Sequence, residues 1–85
     1  MKKSLYKKEN EIFVQILTEF RNKAGLLQTD LAKKLNVPQS FISKIETGQR
    51  KVDIIELKEI CTHLKTNLTQ FCRILETKII ASGKN

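Results

Sequence analysis

Apolar residues recur at helical spacing along most of the chain, and residues that end or begin helices interrupt this pattern at short intervals. The interruptions fall at Gly25, Asn36, Pro38 and Gly48. Gly and Asn suit the positive φ that closes a helix, and Pro is tolerated in a helix's first turn. No segment alternates as a β-strand does, and 85 residues have room for one modest core. The sequence therefore predicts a compact all-α domain of five short helices.

The predicted helices follow from the apolar stripes and the capping signals. The first three cover residues 9–24, 28–35 and 39–47. The fourth begins after Asp53, because Asp53 and Glu56 have capping-box spacing, and the fifth begins after a cap at Thr66 or Asn67. Five residues are expected on the buried face of helix five: Leu68, Phe71, Cys72, Leu75 and Ile79. Cys61 and Cys72 are accordingly predicted to be buried, reduced thiols.

The chain divides into a basic N-terminal arm at residues 1–8, expected to be flexible, one domain at 9–81 and a frayed tail at 82–85. Sixteen Lys and Arg against nine Asp and Glu leave a net charge of +7. Such an excess favours a polyanionic partner, because neutralised phosphates release their condensed counterions. No apolar run approaches the ~18 residues of a membrane span, and residues 1–10 lack the apolar core of a signal peptide. We therefore expect a cytoplasmic protein that does not bind membranes.

The chain offers no residue pattern of an enzyme. No carboxylate pair, nucleophile with a base, metal-ligand set or glycine-rich phosphate loop is visible in the sequence. The two cysteines and the single histidine make a poor zinc set. The sequence predicts a protein without catalytic activity and without a cofactor.

Helix three carries the most informative polar face. Gln39, Ser40, Ser43 and Lys44 form one outward stripe opposite apolar residues. Gln can contact adenine through two hydrogen bonds, Lys can donate to guanine, and Ser can donate or accept at several bases. The stripe is chemically able to read a major groove, and a plain solvated helix face remains the alternative.

Several segments together resemble the Cro and phage-repressor type of helix-turn-helix proteins, the XRE family, from about Ile12 to Phe71. The residues that carry the resemblance are Arg21-Asn22-Lys23-Ala24-Gly25-Leu26, Gln28-Thr29-Asp30-Leu31-Ala32, Leu35-Asn36-Val37 and Ile42-Ser43-Lys44-Ile45-Glu46-Thr47-Gly48, with Leu57 and Leu64 further on. The resemblance implies a lambda-repressor-like fold whose helices two and three form the helix-turn-helix. It also implies a bacterial or phage transcriptional regulator, a repressor, that binds double-stranded operator DNA.

The resemblance assigns roles to individual residues. Gln28 would bind a backbone phosphate and brace Gln39, while Gln39, Ser40, Ser43 and Lys44 would face the bases. Arg21 and Glu46 would form a buried ion pair, for which two independent surface charges are the alternative. Backbone amides and side chains of the loop after helix three would bind the phosphates of the second strand. The loop residues concerned are Thr47, Gln49, Arg50 and Lys51.

Two positions depart from the family's pattern at helix starts. Relatives usually have Ser or Thr before the Gln of helix two, whereas Leu27 stands here and cannot cap. The missing cap should cost about 1 kcal/mol. Pro38 stands where relatives often have a capping Ser or Thr, and it replaces that cap with a preset φ. Both departures are expected to affect stability more than DNA contact.

The C-terminal helix suggests an assembly. Ile74 falls on the edge of its predicted core face and Ile80 nearly opposite that face, and two exposed isoleucines indicate a contact with a second copy. A homodimer, formed at least on DNA, would bind an operator with inverted-repeat symmetry. A monomer is the alternative state. The alternative function is an antitoxin, or the partner-binding component of a two-protein module, that uses the same DNA-binding fold.

Overall fold

Five helices succeed one another in the computed structural model, which describes residues 6–83. They are α1 (Lys7–Lys23), α2 (Gln28–Leu35), α3 (Gln39–Glu46), α4 (Ile54–His63) and α5 (Leu68–Ala81). Residues 6–83 contain no strand, so the predicted all-α class and five-helix architecture are confirmed. None of these helices is both long enough and apolar enough to cross a membrane.

The first helix begins earlier than its apolar stripe indicates. Lys7 and Lys8 lie in the first turn of α1 and so belong to the helix, two residues before the predicted boundary. The other residues of the predicted arm fall outside the described range, apart from Tyr6, which immediately precedes the helix. At the other end, Ser82 and Gly83 form a turn after α5, and residues 84–85 lie outside the described range. The flexible arm and the frayed tail stay predictions.

Helix ends follow one recurring geometry. After α1, Gly25 has a φ of 75°, and the amide of Leu26 donates to the carbonyl of Arg21 at 3.2 Å. After α2, Asn36 has a φ of 59°, and the amide of Val37 donates to the carbonyl of Ala32 at 3.0 Å. These bonds satisfy carbonyls that would otherwise lack a partner at the end of a helix. In both helices, one residue with positive φ therefore ends the helix, and the chain turns towards the next one.

Helix starts differ in how they are capped. The Asp53 carboxylate accepts from the Glu56 amide at 2.8 Å and the Glu56 carboxylate accepts from the Asp53 amide at 3.1 Å, which confirms the predicted capping box of α4. No side chain caps α2 or α3, because Leu27 and Pro38 carry no acceptor. In α2 only the reverse contact forms, from the Leu27 amide to the Asp30 carboxylate at 2.8 Å.

One core joins all five helices, and Phe71 of α5 lies in it without solvent exposure. The rings of Phe13 and Phe20 from α1 pack against Phe71 with centroids 5.6 and 5.8 Å away. The buried core residues are Ile16, Leu17, Leu31, Ala32, Ile42, Ile45, Leu57, Ile60, Cys61, Leu64 and Phe71. Because each helix contributes to this set, the polar faces of α2 and α3 are held in a defined orientation.

The buried face of α5 differs from the predicted one. Phe71 lies at its centre, so Ile74 and Leu75, three and four residues later, pack partly against the core. Cys72 lies about 100° further round the helix and is exposed, so the prediction that both thiols are buried was wrong for Cys72. Ile74 is half-buried, which also corrects its predicted exposure. Two causes raise the pKa of the buried Cys61 thiol to about 11: mainly its burial, and to a smaller extent the electrostatic effect of the nearby Cys72 thiol.

A buried ion pair ties α1 to the last turn of α3. Arg21 Nε and Nη2 donate to the two carboxylate oxygens of Glu46 at 2.6 and 3.0 Å. Only 10% of the Arg21 side chain and 7% of the Glu46 side chain are exposed. Arg21 Nη1 also donates to the carbonyl of Leu26 at 2.6 Å, in the turn that follows α1. One guanidinium therefore fixes α1, the turn before α2, and α3 relative to one another.

Glu46→Ala should lower the free energy of unfolding by about 3 kcal/mol or more, because the guanidinium of Arg21 would stay buried without its carboxylate. Urea unfolding followed by circular dichroism measures this loss. Glu59→Ala removes an exposed carboxylate from α4 and is the matched control. A loss below about 0.5 kcal/mol for Glu46→Ala would show that the pair behaves as an exposed one.

Candidate nucleic-acid interface

The four residues predicted to face the bases share the outer side of α3. Gln39, Ser40 and Lys44 are exposed and Ser43 is half-buried. The opposite side is held in the core by Ile42 and Ile45, which are 2% and 1% exposed. Because that apolar side is anchored, α3 presents its polar side in one orientation.

A chain of hydrogen bonds connects this polar side to the buried ion pair. Gln39 Nε2 donates to Gln28 Oε1 at 3.0 Å, and Gln28 Nε2 donates to Glu46 Oε1 at 2.9 Å. The structure thus brings Gln28 and Gln39 together, as the family resemblance implied. It also joins both to Glu46, a link that sequence reasoning missed. Gln28 and Glu46 are 18 residues apart on different helices, so no local spacing indicates their contact.

Gln28 begins α2 and Gln39 begins α3, and the hydrogen bond between their side chains shows that the two helix starts are neighbours. The first N–H groups of an α-helix have no acceptor within the helix, and they carry a partial positive charge. Neither of these two helix starts receives a side-chain cap. The Asp30 carboxylate already lies at the start of α2, where it accepts from the Leu27 amide, whereas the first turn of α3 contains no acidic residue and is the better suited of the two to an anion such as a phosphate group.

The loop after α3 turns its amides inward. The amides of Gly48, Gln49 and Arg50 donate to carbonyls of the last turn of α3, at 2.8 to 3.1 Å. The Thr47 hydroxyl contacts the carbonyl of Ser43 at 3.0 Å, and Gln49 Nε2 donates to that hydroxyl at 3.0 Å. Closing the helix end already engages these three amides, and the implied binding of phosphates by the loop stays a prediction.

The two basic residues of this loop have different surroundings. Arg50 Nη2 donates to a carboxylate oxygen of Glu56 at 2.8 Å, and the guanidinium carbon lies 4.2 Å from the centre of the Phe41 ring. These contacts bind Arg50 between α3 and the start of α4. Lys51 is exposed. Sequence reasoning missed the role of Phe41, whose place under Arg50 depends on how α3 meets the loop.

The N-terminal end of α1 lies beside the same loop. Lys7 and Asn10 of α1 share an open groove of about 770 Å³ with Thr47, Gly48 and Lys51. Two lysines from distant parts of the sequence thereby line one groove.

Comparison with known proteins agrees with this geometry. The family model described as Helix-turn-helix matches residues 17–71. The chain is similar to an XRE-family like protein from Pseudomonas syringae pv. tomato str. DC3000, with 33% identity and a TM-score of 0.82 over 89% of this chain and 93% of that one. No curated protein sequence matches the chain significantly.

A second relative is the wild-type restriction-modification controller protein C.Esp1396I, with 27% identity and a TM-score of 0.77 over 86% of this chain and 95% of that one. The C.Esp1396I tetramer in complex with its natural 35 base-pair operator is similar at 28% identity and a TM-score of 0.75, over 85% of this chain and 95% of that one. The family match covers more than half of the chain, within which α2 and α3 form the helix-turn-helix. The chain therefore belongs to the helix-turn-helix family, as an XRE-type DNA-binding transcriptional regulator.

Proposed function

We propose that this protein recognises a specific operator by laying α3 into the major groove, and that it acts as a repressor in the cytoplasm. The observation that carries this proposal is the position of Gln39, which is exposed at the start of α3 and held by Gln28. A side chain held before binding loses less conformational entropy when it meets a base. A domain seated on an operator blocks other proteins from the same DNA, which is the simplest route to repression.

The proposed base contacts follow from the donors and acceptors on the outer side of α3. Gln39 reads adenine, Lys44 donates to guanine, and Ser40 and Ser43 adapt to several bases. Residues near the start of the recognition helix reach the base edges in this docking geometry. The eight residues of α3 supply two turns for this purpose. We assign base recognition to these four side chains.

The proposed phosphate contacts surround the start of α2 and the loop after α3. Gln28, the first residue of α2, binds one phosphate through the side-chain N–H that its bond to Glu46 leaves free. Lys51 binds another, with the exposed residues Thr47 and Gln49 beside it. Arg50 contributes mainly by holding the loop against Phe41 and Glu56. Its ion pair leaves less of its charge for DNA.

The proposed assembly on DNA is a homodimer formed through α5. Ile80 is 56% exposed, which supports an apolar contact between copies at this position. Ile74 packs partly against the core, so only the exposed part of its side chain can join that contact. The controller protein C.Esp1396I binds its 35 base-pair operator as a tetramer, so a relative of this fold assembles on DNA. A two-fold dimer separates its recognition helices by about 34 to 36 Å, which predicts an inverted-repeat operator.

Selection of duplexes from a random pool provides the operator and the test of base reading. Gln39→Ala and Lys44→Ala should each weaken operator binding by about 1 to 3 kcal/mol and leave binding to random DNA nearly unchanged. Titration of both duplexes by fluorescence anisotropy measures the two affinities. Lys34→Ala on α2 serves as the control for loss of an exposed lysine. If both α3 variants keep full discrimination, another element reads the bases.

Lys51→Ala should weaken binding to operator and random DNA alike and reduce the slope of log K against log salt by about one unit. The loss of one phosphate contact causes both effects. Arg50→Ala is the informative comparison, because it should lower the free energy of unfolding by about 1 kcal/mol through its lost ion pair and aromatic contact. An unchanged salt slope for Lys51→Ala would place the phosphate contact elsewhere.

Ile80→Lys should convert a two-to-one complex of protein and duplex into weaker one-to-one binding, because a charge would enter the proposed apolar interface. Sedimentation velocity with the selected duplex measures the stoichiometry. Gln15→Lys adds the same charge at an exposed position of α1 and should leave the stoichiometry unchanged. One wild-type protein per duplex at saturation, on a site without inverted symmetry, would rule out the dimer.

A further inference from the structure

The groove between α1 and the loop after α3 adjoins a smaller recess. The groove has a volume of about 770 Å³, which falls in the range of small-ligand sites. The recess has a volume of about 150 Å³ and shares Asn10, Val14, Gly48 and Lys51 with the groove. The proposed reading of bases by α3 makes no use of this pair of cavities.

The recess combines apolar walls with hydrogen-bond donors. Phe13, Val14 and Val52 line it and are half-buried. Arg50 also lines it, and Arg50 Nε is buried without a hydrogen-bond acceptor among residues 6–83. A buried donor without an acceptor costs free energy, so an acceptor placed there is favourable. Lys51 adds a positive charge to the same lining. The recess therefore suits a carboxylate that carries an apolar group beside it.

The groove carries charges of both signs, which argues against a nucleic-acid strand as its occupant. Lys7 and Lys51 line it together with Glu11 and Glu19, and none of the four is in an ion pair within residues 6–83. The third carboxylate of the groove, that of Glu46, is neutralised by its own ion pair. A phosphate backbone would meet two unpaired carboxylates and be repelled. A ligand with opposite charges at its two ends would find a partner for each.

The order of these charges along α1 gives the length of such a ligand. Asn10 lines both cavities, whereas Glu19 lines the groove alone. About 14 Å of helix separates these two residues, because an α-helix rises ~1.5 Å per residue. An extended peptide advances ~3.3 Å per residue, so about four residues span this distance. Lys7 and Glu11 are one helical turn apart, so their charges offset each other near the start of α1.

We propose that this groove binds a free peptide of about four residues. Its C-terminal carboxylate lies against Arg50 and Lys51, and its C-terminal side chain is apolar and fills the recess. The amide of Asn10 donates to the same carboxylate, and the N-terminal ammonium group of the peptide pairs with Glu19. Capture of a terminal carboxylate is one of the recurring modes of peptide recognition.

A bound peptide has a consequence for DNA binding. Thr47 and Lys51 line the groove, and both are among the residues to which we assign a DNA phosphate. The carboxylate of the peptide and the phosphate then compete for Lys51, and this consequence alone rests on the proposed function. By linkage, the peptide lowers the affinity for DNA by the factor by which DNA lowers the affinity for the peptide. The groove is then a regulatory site.

Isothermal titration calorimetry of the wild-type protein with the tetrapeptide Ala-Ala-Ala-Leu tests the site. Replacing the C-terminal carboxylate by an amide should weaken binding by about tenfold or more, because charge-assisted hydrogen bonds are lost. Acetylation of the N-terminus should weaken binding by about twofold to fivefold, since the ammonium group meets an exposed carboxylate. Equal affinity of the acid and the amide, or no detectable binding of the acid, would overturn the inference.

Two variants locate the peptide. Asn10→Asp places a carboxylate at the recess and should weaken binding of the tetrapeptide by about tenfold through repulsion of like charges. Asn22→Asp makes the same change at an exposed position of α1 outside the groove, and should leave the affinity unchanged. Glu19→Gln should abolish the difference between the free and the acetylated peptide. Circular dichroism establishes that each variant is folded. Wild-type affinity in Asn10→Asp would show that the carboxylate binds elsewhere and that the inference is wrong.

Competition with random-sequence DNA separates the inference from the proposed function. If added tetrapeptide weakens DNA binding and its amide does so far less, both are supported. If the tetrapeptide binds as expected and DNA affinity does not change, the peptide site is supported and the assignment of Lys51 to a phosphate is wrong. If the tetrapeptide does not bind while Lys51→Ala reduces the salt slope of DNA binding, the inference alone is wrong.

Discussion

The buried carboxylate of Glu46 is the group on which the relative placement of α1, α2 and α3 depends. Burying an ionised group is costly unless each of its oxygens is paired and hydrogen-bonded. Arg21 supplies two of the required donors from α1, and Gln28 supplies a third from α2. The need to satisfy one carboxylate at the end of α3 therefore fixes the relative positions of three helices, and it places the Gln28 amide beside the start of α3.

The pairing of α2 with α3 adds an apolar constraint to this polar one. Leu31 and Ala32 of α2 lie in the same core as Ile42 and Ile45 of α3, and the small side chain of Ala32 is compatible with a close approach of another helix. The positive φ of Asn36 closes α2 immediately before the turn. Packing on one side and the Glu46 bonds on the other leave α3 little freedom to roll, so its outer side chains start from defined positions.

In the loop after α3, backbone amides and a guanidinium group that could bind a ligand are already used in contacts within the fold. Its amides satisfy the last carbonyls of α3, and Arg50 holds the loop to Phe41 and Glu56. These contacts stabilise the junction with α4, whose capping box shares the same Glu56. Because an acceptor lies within its reach, Arg50 stabilises the fold, and less of its charge is available to a binding partner. The positive charge in the groove beside the loop then comes from Lys51 and from Lys7 of α1, and Glu11 and Glu19 of α1 line the same groove.

The sequence by itself determined the helices, because their apolar period, the Asp53 and Glu56 cap and the residues with positive φ are local features. It also indicated the polar side of α3, which follows from the burial of Ile42 and Ile45. Only the tertiary structure decided which side of α5 is buried, since Cys72 and Ile74 lie near the edges of an apolar arc and the position of Phe71 selects between them. Only it joined Gln28 to Glu46 and Arg50 to Phe41, because contacts between separate helices depend on packing geometry and leave no periodic signal along the chain.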